Sequence, residues 1–465
     1  MKKKIKPWLV ITLCLFSLGA ILSVFSQKQL LQSLAQGKKA SLQIDTQAVM
    51  GDLHRPWQNL AQGGEEKENL LNPIIDKVKV LNPNYIRIDH IFDYYDVLQI
   101  KDQQVTYDFS KLDQVVTDVL ETGAKPFFSL SFMPPALNPT DLVGSPQNWQ
   151  QWSDLVQKTI QHYSGYLEKN IKDVYYEVWN EPDLFGNWKT TGEKNYLDLY
   201  FYSAQGAKKT VLTNSYKIGG PATTGFYPNW ARKLILFCQE NNLPLDFISW
   251  HRFDSDPNRF LKDIKQANQV IKTTLGNQHL EKVISEWGSN PENHPWHDQN
   301  FDAAHEIAIL RTILGRITLA FSFEIKDGLP PPGKQLWGRW GLLTHHTVGA
   351  APKPRYISHL FLSKLEGHRL YLKGEGTWVK GIAAKSKQKT TLLVTNYDLH
   401  EKHQETFPIE FINLKNGPYL LTTTKLDNQP KEEKIFVQDS SYQASFSLGP
   451  NEVLLIELVA ILPQG

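Results

Sequence analysis

The stretch Val174-Tyr175-Tyr176-Glu177-Val178-Trp179-Asn180-Glu181-Pro182 decides how this chain is read. Its opening residues are β-branched and aromatic types that suit a strand. Pro182 stops strand pairing immediately after Glu181 and fixes the direction of the chain there. Such a run aims a carboxylate at the rim of a sheet. A second run, Val283-Ile284-Ser285-Glu286-Trp287-Gly288, ends in the same manner about a hundred residues later. Two acids so placed suit chemistry that needs one proton donor and one anion, and splitting a glycosidic bond needs that pair.

Working outward, short apolar runs alternate with longer amphipathic stretches. The sequence predicts strands over 85–89, 125–131, 174–179, 217–220, 246–251, 282–286 and 318–325, with a weaker one near 59–63. Between them, Trp152, Leu155, Val156, Thr159, Ile160 and Tyr163 recur at helical spacing, as do Ile307, Leu310, Ile313 and Leu314. Alternating strand and helix implies a parallel sheet. Eight such units over residues 51–365 predict an α/β fold, a closed (β/α)8 TIM barrel. The rival is a doubly wound open sheet, but no Gly-x-Gly-x-x-Gly follows a strand here. After residue 365 the pattern becomes short β-type runs (378–384, 390–396, 406–411, 419–425, 442–447 and 453–459), which predict a small antiparallel β-sandwich over 366–465.

The chain has 465 residues, 41% hydrophobic and 21% charged, a composition that packs rather than staying disordered. Its 13 Trp residues either fill cores or line a sugar-stacking cleft. The net charge is +2, and Lys2, Lys3, Lys4 and Lys6 more than account for it. The remainder is near neutral, so it offers no basic field to nucleic acid. After those lysines, residues 8–25 carry no charge. Segment 1–26 is thus a secretory signal or a membrane anchor; the uncleaved anchor is favoured, with the body exported. Residues 27–50 read as a polar stalk, with one strand near Ala40 to Ile44 that could join the β domain. Only Cys14 and Cys238 occur, so no disulfide forms within the body, and Cys238 reads as a small buried hydrophobe.

At the strand ends, Asn180 is placed to hydrogen-bond a sugar hydroxyl and Trp287 stands beside Glu286. His251, closing the sixth predicted strand, either orients the second acid, binds substrate or is structural. Arg87 and His90 flank Asp89, as substrate contacts or as parts of a structural pair. Trp188, Trp337 and Trp340 lie in Gly/Pro-rich segments that suit stacking on pyranose faces. There is no His-Glu-x-x-His, no Gly-x-Ser-x-Gly and no complete calcium loop, so neither a metal nor a cofactor is expected.

The ordered set of segments resembles glycoside hydrolase family 39, a clan A family of retaining enzymes. The similarity is carried by Tyr85-Ile86-Arg87-Ile88 with Ile91-Phe92-Asp93, the segment Lys125 to Pro134, and Ile218-Gly219-Gly220-Pro221-Ala222-Thr223. It continues through Asp246-Phe247-Ile248-Ser249-Trp250-His251, Trp340-Gly341-Leu342-Leu343 and Lys353-Pro354. The resemblance implies Glu181 as acid/base, Glu286 as nucleophile and net retention at the anomeric carbon. The expected substrate is an extracellular or cell-envelope polysaccharide or oligosaccharide. A non-catalytic carbohydrate-binding or assembly factor, and a transglycosidase, are the alternatives. Two departures stand out. Glu324 falls where the family carries an aromatic with a Trp, and Phe253 replaces a usual Tyr. A charged group at 324 would disfavour a plain xyloside.

Overall fold

A computed structural model describes residues 37–64, 66–68, 70–276 and 278–461. Residues 1–26, read above as a signal or anchor, lie outside the described residues. Among the described residues no helix is long and apolar enough to cross a membrane.

Eight parallel strands close into a barrel in chain order: Asn59–Gln62, Tyr85–Ile88, Lys125–Leu130, Val174–Val178, Tyr216–Thr223, Phe247–Phe253, Glu281–Gly288 and Leu319–Phe323. The eighth pairs back onto the first through Ser322 and Leu60, and Phe323 and Ala61. A helix follows each strand, from the short Ile75–Lys79 to Pro354–Ser363. The weak first strand is real but only four residues long.

Side chains alternate across each strand, and the alternation builds two layers inside the barrel. The lower layer is an apolar plug of Ala61, Tyr85, Phe127, Tyr175, Phe247, Val283, Leu319 and Phe321. Gly219 completes it by absence, because a Cβ there would lie 2.6 Å from the Phe247 ring. Below the plug, Lys217 pairs with Glu281, and Tyr175 donates its hydroxyl to Glu281 at 2.9 Å. Higher on the same strands stand Arg87, Glu177, His251 and Glu286; Arg87 and Glu177 are one inward step above Tyr85 and Tyr175, and His251 is two above Phe247. The interior thus turns from aromatic to charged within one or two repeats of the pleat. Outward residues, such as Ile86, Tyr176, Trp250 and Ile284, pack beneath the helices.

Beyond the barrel lies one continuous nine-stranded sheet. The sequence reading expected an antiparallel sandwich over 366–465, with one strand near Ala40 to Ile44 that could join it. The structure extends that strand to Leu42–Asp52 and seats it between His368–Lys373 and Glu405–Ile412, antiparallel to the first and parallel to the second. It also adds Lys431–Val437, an edge strand too charged to stand out in the sequence. The sheet curls, so that Ile435 and Leu448 from its two edges share one core. Its central strands are apolar on both faces. Leu392, Val394, Leu454 and Ile456 face that core, while Leu393, Val453 and Leu455 face the barrel. Helix Asn300–Ile313 is therefore enclosed by barrel and sheet together, which is why it is buried on nearly every side. Cys238 is buried, with no disulfide partner among the described residues.

Candidate active site

The two glutamates that open the sequence reading meet at the upper, C-terminal end of the barrel. Glu181 lies three residues past the fourth strand, in a turn that its own backbone helps to close. Its N–H donates to the Ala222 carbonyl at 3.0 Å, and its carbonyl accepts from the Phe185 N–H at 2.7 Å. Glu286 is on the seventh strand. An irregularity in pairing with the sixth strand, between Ile284 and Glu286, sets its side chain inward beside His251. A carboxylate oxygen of each glutamate and a ring nitrogen of His251 all lie within 4.8 Å of one another. His251 Nδ1 is 2.8 Å from Glu181 Oε1 and 3.5 Å from Glu286 Oε2, so one imidazole nitrogen faces both acids.

Arg87 is the fixed charge of the site. Its guanidinium donates to Glu286 Oε1 at 2.6 Å, to Glu177 Oε2 at 2.8 Å and to Asn180 Oδ1 at 2.8 Å. All three nitrogens are engaged in a fork that a lysine could not reproduce. Its neighbours give the two glutamates different surroundings. The Glu286 side chain is 8% exposed and touches a permanent cation, whereas the Glu181 side chain is 14% exposed and touches an imidazole.

Burial pushes the Glu286 carboxyl up to about 7, with His251 and Arg87 pulling down and Glu181 and Asp89 pushing the same way as burial. For His251, burial favours the neutral ring, but Glu286 and Glu181 outweigh it and raise its proton affinity. Buried acceptors without a protein partner among the described residues surround this cluster: Asp89 Oδ1, Glu177 Oε1 and Glu324 Oε1, together with His251 Nε2.

The remaining expected contacts divide. His90 stands on the rim, bonded through Nδ1 to Asp93 at 2.8 Å, stacked on Tyr94 at 4.2 Å and edge-on to Phe132. Trp337 is half-buried and lies with Trp340 against the Arg339 guanidinium. Arg87 and Asn180 are inside the site, but Arg87 grips the acids rather than facing solvent. Trp287, expected beside the substrate, is not there. Glu286 points inward, so its neighbour points outward, and Trp287 packs against Phe260 and His305 under the helices. Trp188 is likewise core, donating its indole N–H to Val143. Glu324 does not stand where an aromatic would. That position belongs to Phe323, whose ring lies 5.8 Å from Phe253 and 5.5 Å from Trp340. Glu324 is fully buried and accepts from Gln62 Nε2 at 3.1 Å. Burial, with Asp327 acting in the same sense, pushes its carboxyl well up.

The sequence reading missed Glu177. Its signal was a lone acid inside a strand whose residues are otherwise apolar or aromatic, two positions from an inward Tyr175.

Two donor clusters among the described residues have metal-like spacing: Glu181, His251 and Glu286, and Glu66, His345 and His346. In the first, Arg87 already lies against Glu286. In the second, Lys326 Nζ is 2.8 Å from Glu66 and 3.2 Å from His346 Nδ1. Each cluster is met by the chain's own cation.

A closed parallel barrel with paired carboxylates at its C-terminal mouth defines a glycosidase architecture. Residues 74–436 match the family described as glycosyl hydrolases family 39, and the chain belongs to that family. It is an O-glycosyl hydrolase. A β-xylosidase of Caldicellulosiruptor saccharolyticus is 28% identical over 345 residues, covering 68% of this chain and 67% of that enzyme. A β-xylosidase of Geobacillus stearothermophilus is 28% identical over 302 residues, covering 58% of each chain. Among solved structures, a monomeric β-xylosidase from Caulobacter crescentus CB15 superposes with a TM-score of 0.79 at 21% identity, covering 91% of this chain and 100% of that one. A GH39 enzyme from Xanthomonas axonopodis pv. citri gives 0.78 at 20% identity, covering 91% and 98%. These two likenesses concern the fold.

Proposed function

We propose that the chain is a retaining glycoside hydrolase that works by double displacement on β-linked polysaccharides or oligosaccharides outside the cytoplasm. One observation carries the reading: two carboxylates with oxygens within 4.8 Å, one of them held by Arg87. Retaining enzymes place these groups about 5–5.5 Å apart, whereas inverting enzymes leave room for a water at about 6.5–9.5 Å.

The resemblance to family 39 implies the roles, and the contact of Arg87 with Glu286 supports an anion there although burial raises that carboxyl. Glu286, against the permanent charge of Arg87, is the nucleophile. Its oxygen bonds to the anomeric carbon while the bond to the glycosidic oxygen breaks. Glu181, more exposed and in contact with His251, gives its proton to that departing oxygen. A water then enters, loses a proton to Glu181 and displaces Glu286, restoring both groups. His251 faces both acids through one nitrogen, so its N–H is placed to donate to either carboxylate when that group is ionised. The unpartnered acceptors around Glu286 suit a ligand with many hydroxyl donors. Because these acceptors are carboxyl oxygens, a sugar rich in hydroxyl or amino donors suits the site better than a uronate. The related enzymes described as β-xylosidases support the β-linkage.

Glu181→Gln and Glu286→Gln should each abolish hydrolysis of a glycan that the parent cleaves. NMR of the first product should show the anomer of the substrate. An inverted first product, or unchanged turnover in both variants, would remove the proposal. The charge-free stretch 8–25 behind four lysines supports export with the body outside the cytoplasm. Protease treatment of intact cells, degrading the body while a cytoplasmic marker survives, checks that part.

A further inference from the structure

The turn that carries Glu181 also carries exposed apolar side chains. Leu184 is 59% exposed and Phe185 is 40% exposed, within four residues of the acid. On the neighbouring loop, after the fifth strand, Tyr227 is 42% exposed. These side chains are not loosely held. Asp183 accepts from the Thr224 N–H at 3.0 Å and from its hydroxyl at 2.5 Å, tying the two loops together. Thr224 Oγ1 in turn lies 3.0 Å from the Tyr227 hydroxyl. Phe185 is fixed from behind by the Phe132 ring at 5.4 Å and by the Trp179 indole N–H, which donates to its carbonyl at 3.2 Å.

The opposite side of the site has its own aromatic wall. Phe253 and Phe323 end the two strands that flank the strand of Glu286; their rings are 5.8 Å apart, and a Cβ added at Gly288 would lie 3.0 Å from the Phe253 ring. The two acids are thus flanked by two separate aromatic surfaces. In a double displacement the nucleophile contacts the sugar that becomes covalently attached, and the proton donor contacts the oxygen of the group that leaves. The turn that carries the proton donor, and the loop tied to it through Asp183 and Thr224, therefore lie on the side of the leaving group. Rigid, amphipathic rings lying open at that position suit the apolar face of a pyranose.

We propose that Phe185 and Tyr227 form the platform for the leaving-group sugar and determine which leaving groups are accepted. The inference rests on the retaining reading above and names the residues of its departing side. The Phe253–Phe323 wall belongs to the retained sugar.

The test compares leaving groups of different size on one retained sugar, using the full chain. The probes are β-xylosyl fluoride with xylobiose, and β-glucosyl fluoride with cellobiose. Fluoride departs without occupying the platform, whereas the second sugar of each disaccharide must rest on it. Phe185→Ala and Tyr227→Ala should each lower kcat/KM on the disaccharide by about tenfold or more, while fluoride turnover stays within about twofold of the parent. Fluoride turnover also reports that the variant is folded, and Phe185→Leu should lie between parent and alanine variant. Unchanged disaccharide turnover in both alanine variants overturns the inference and leaves the retaining reading standing. Equal losses on fluoride and disaccharide also overturn it, because the side chains then support the fold rather than the leaving group. A parent that turns over the fluorides but neither disaccharide also overturns the inference, because no second sugar is then accepted at the platform; the retaining reading falls separately, on the product anomer and the glutamine variants above.

Discussion

Replacing Glu286 with glutamine should make the protein more stable at alkaline pH while removing its activity. The size of the effect follows from where the carboxylate sits. In the unfolded chain this carboxyl has its ordinary value of 4.5; in the fold, burial raises it to about 7. Below pH 4.5 it is protonated in both states, and the substitution is nearly neutral. Between those values the unfolded chain ionises while the folded chain resists. The parent therefore loses stability relative to the variant as pH rises towards about 7, and keeps that deficit above it. At about 1.4 kcal/mol for each tenfold change in proton affinity, the gap reaches roughly 3 kcal/mol at most. The glutamine amide would still offer Arg87 Nη1 an acceptor oxygen, so the variant should not create an orphaned guanidinium. Urea unfolding followed by Trp fluorescence at about pH 5 and about pH 8 reads the difference between the two proteins. If parent and variant lose stability in parallel, or the parent gains on the variant as pH rises, the reasoning fails. Arg87 and His251 would then outweigh burial, and the anion would be the resting form at every pH above 4.5.

Three further outcomes follow from the same geometry. Arg87→Met leaves Glu177 and Glu286 without their cation, and should cost about 3–5 kcal/mol in denaturant unfolding with complete loss of hydrolysis. Glu181→Ala should lower turnover of substrates with poor leaving groups by about 10²–10⁴-fold; it should keep the initial burst of dinitrophenol from a dinitrophenyl glycoside while steady-state turnover falls for want of the base, and added azide should restore rate by yielding the glycosyl azide with retained configuration. Leu393, fully buried and facing the barrel helix Asn300–Ile313, should cost about 2–5 kcal/mol as Leu393→Ala; the urea midpoint should fall with kcat unchanged, because that interface is remote from the carboxylates.

The barrel was legible because its strands end on chemistry-bearing residues in a regular order, and Glu181 and Glu286 stood out because each ends a strand. What local sequence could not supply was the contact partner. Arg87 grips Glu286 from 199 positions away, and nothing in Tyr85-Ile86-Arg87-Ile88 says which carboxylate an inward arginine will meet. Trp287 is a different kind of miss, because its position was derivable. If Glu286 faces the interior of a strand with period two, its neighbour faces the helices. Glu324 failed for want of register, since one residue separates the ring at the mouth from the acid beneath it. In the sheet domain the strand near Ala40 to Ile44 was legible but its partners were not, and one edge strand was hidden. Leu42–Asp52 joins partners more than 300 residues later, and Lys431–Val437 carries the charges that protect an exposed edge and so hide a strand from a hydrophobic reading.

The two interior layers of the barrel explain why so many acids are tolerated in one place. The aromatic plug from Tyr85 to Phe321 fills the space beneath the charged layer and leaves it open only at the mouth. With dry, weakly polarisable material below, the field of Arg87 is poorly screened, so a single guanidinium can hold Glu177, Glu286 and Asn180 at once. The same dryness raises the cost of every carboxylate that Arg87 does not fully compensate, and this is why the carboxyls of Glu286 and Glu324 resist ionisation. A ligand with hydroxyl donors would supply what the protein withholds from Asp89, Glu177 and Glu324. Stability that the fold forgoes at these groups therefore returns as binding energy at the ring where the bond is to break, and the polar partners with most to gain from a sugar are those the fold leaves unpaired.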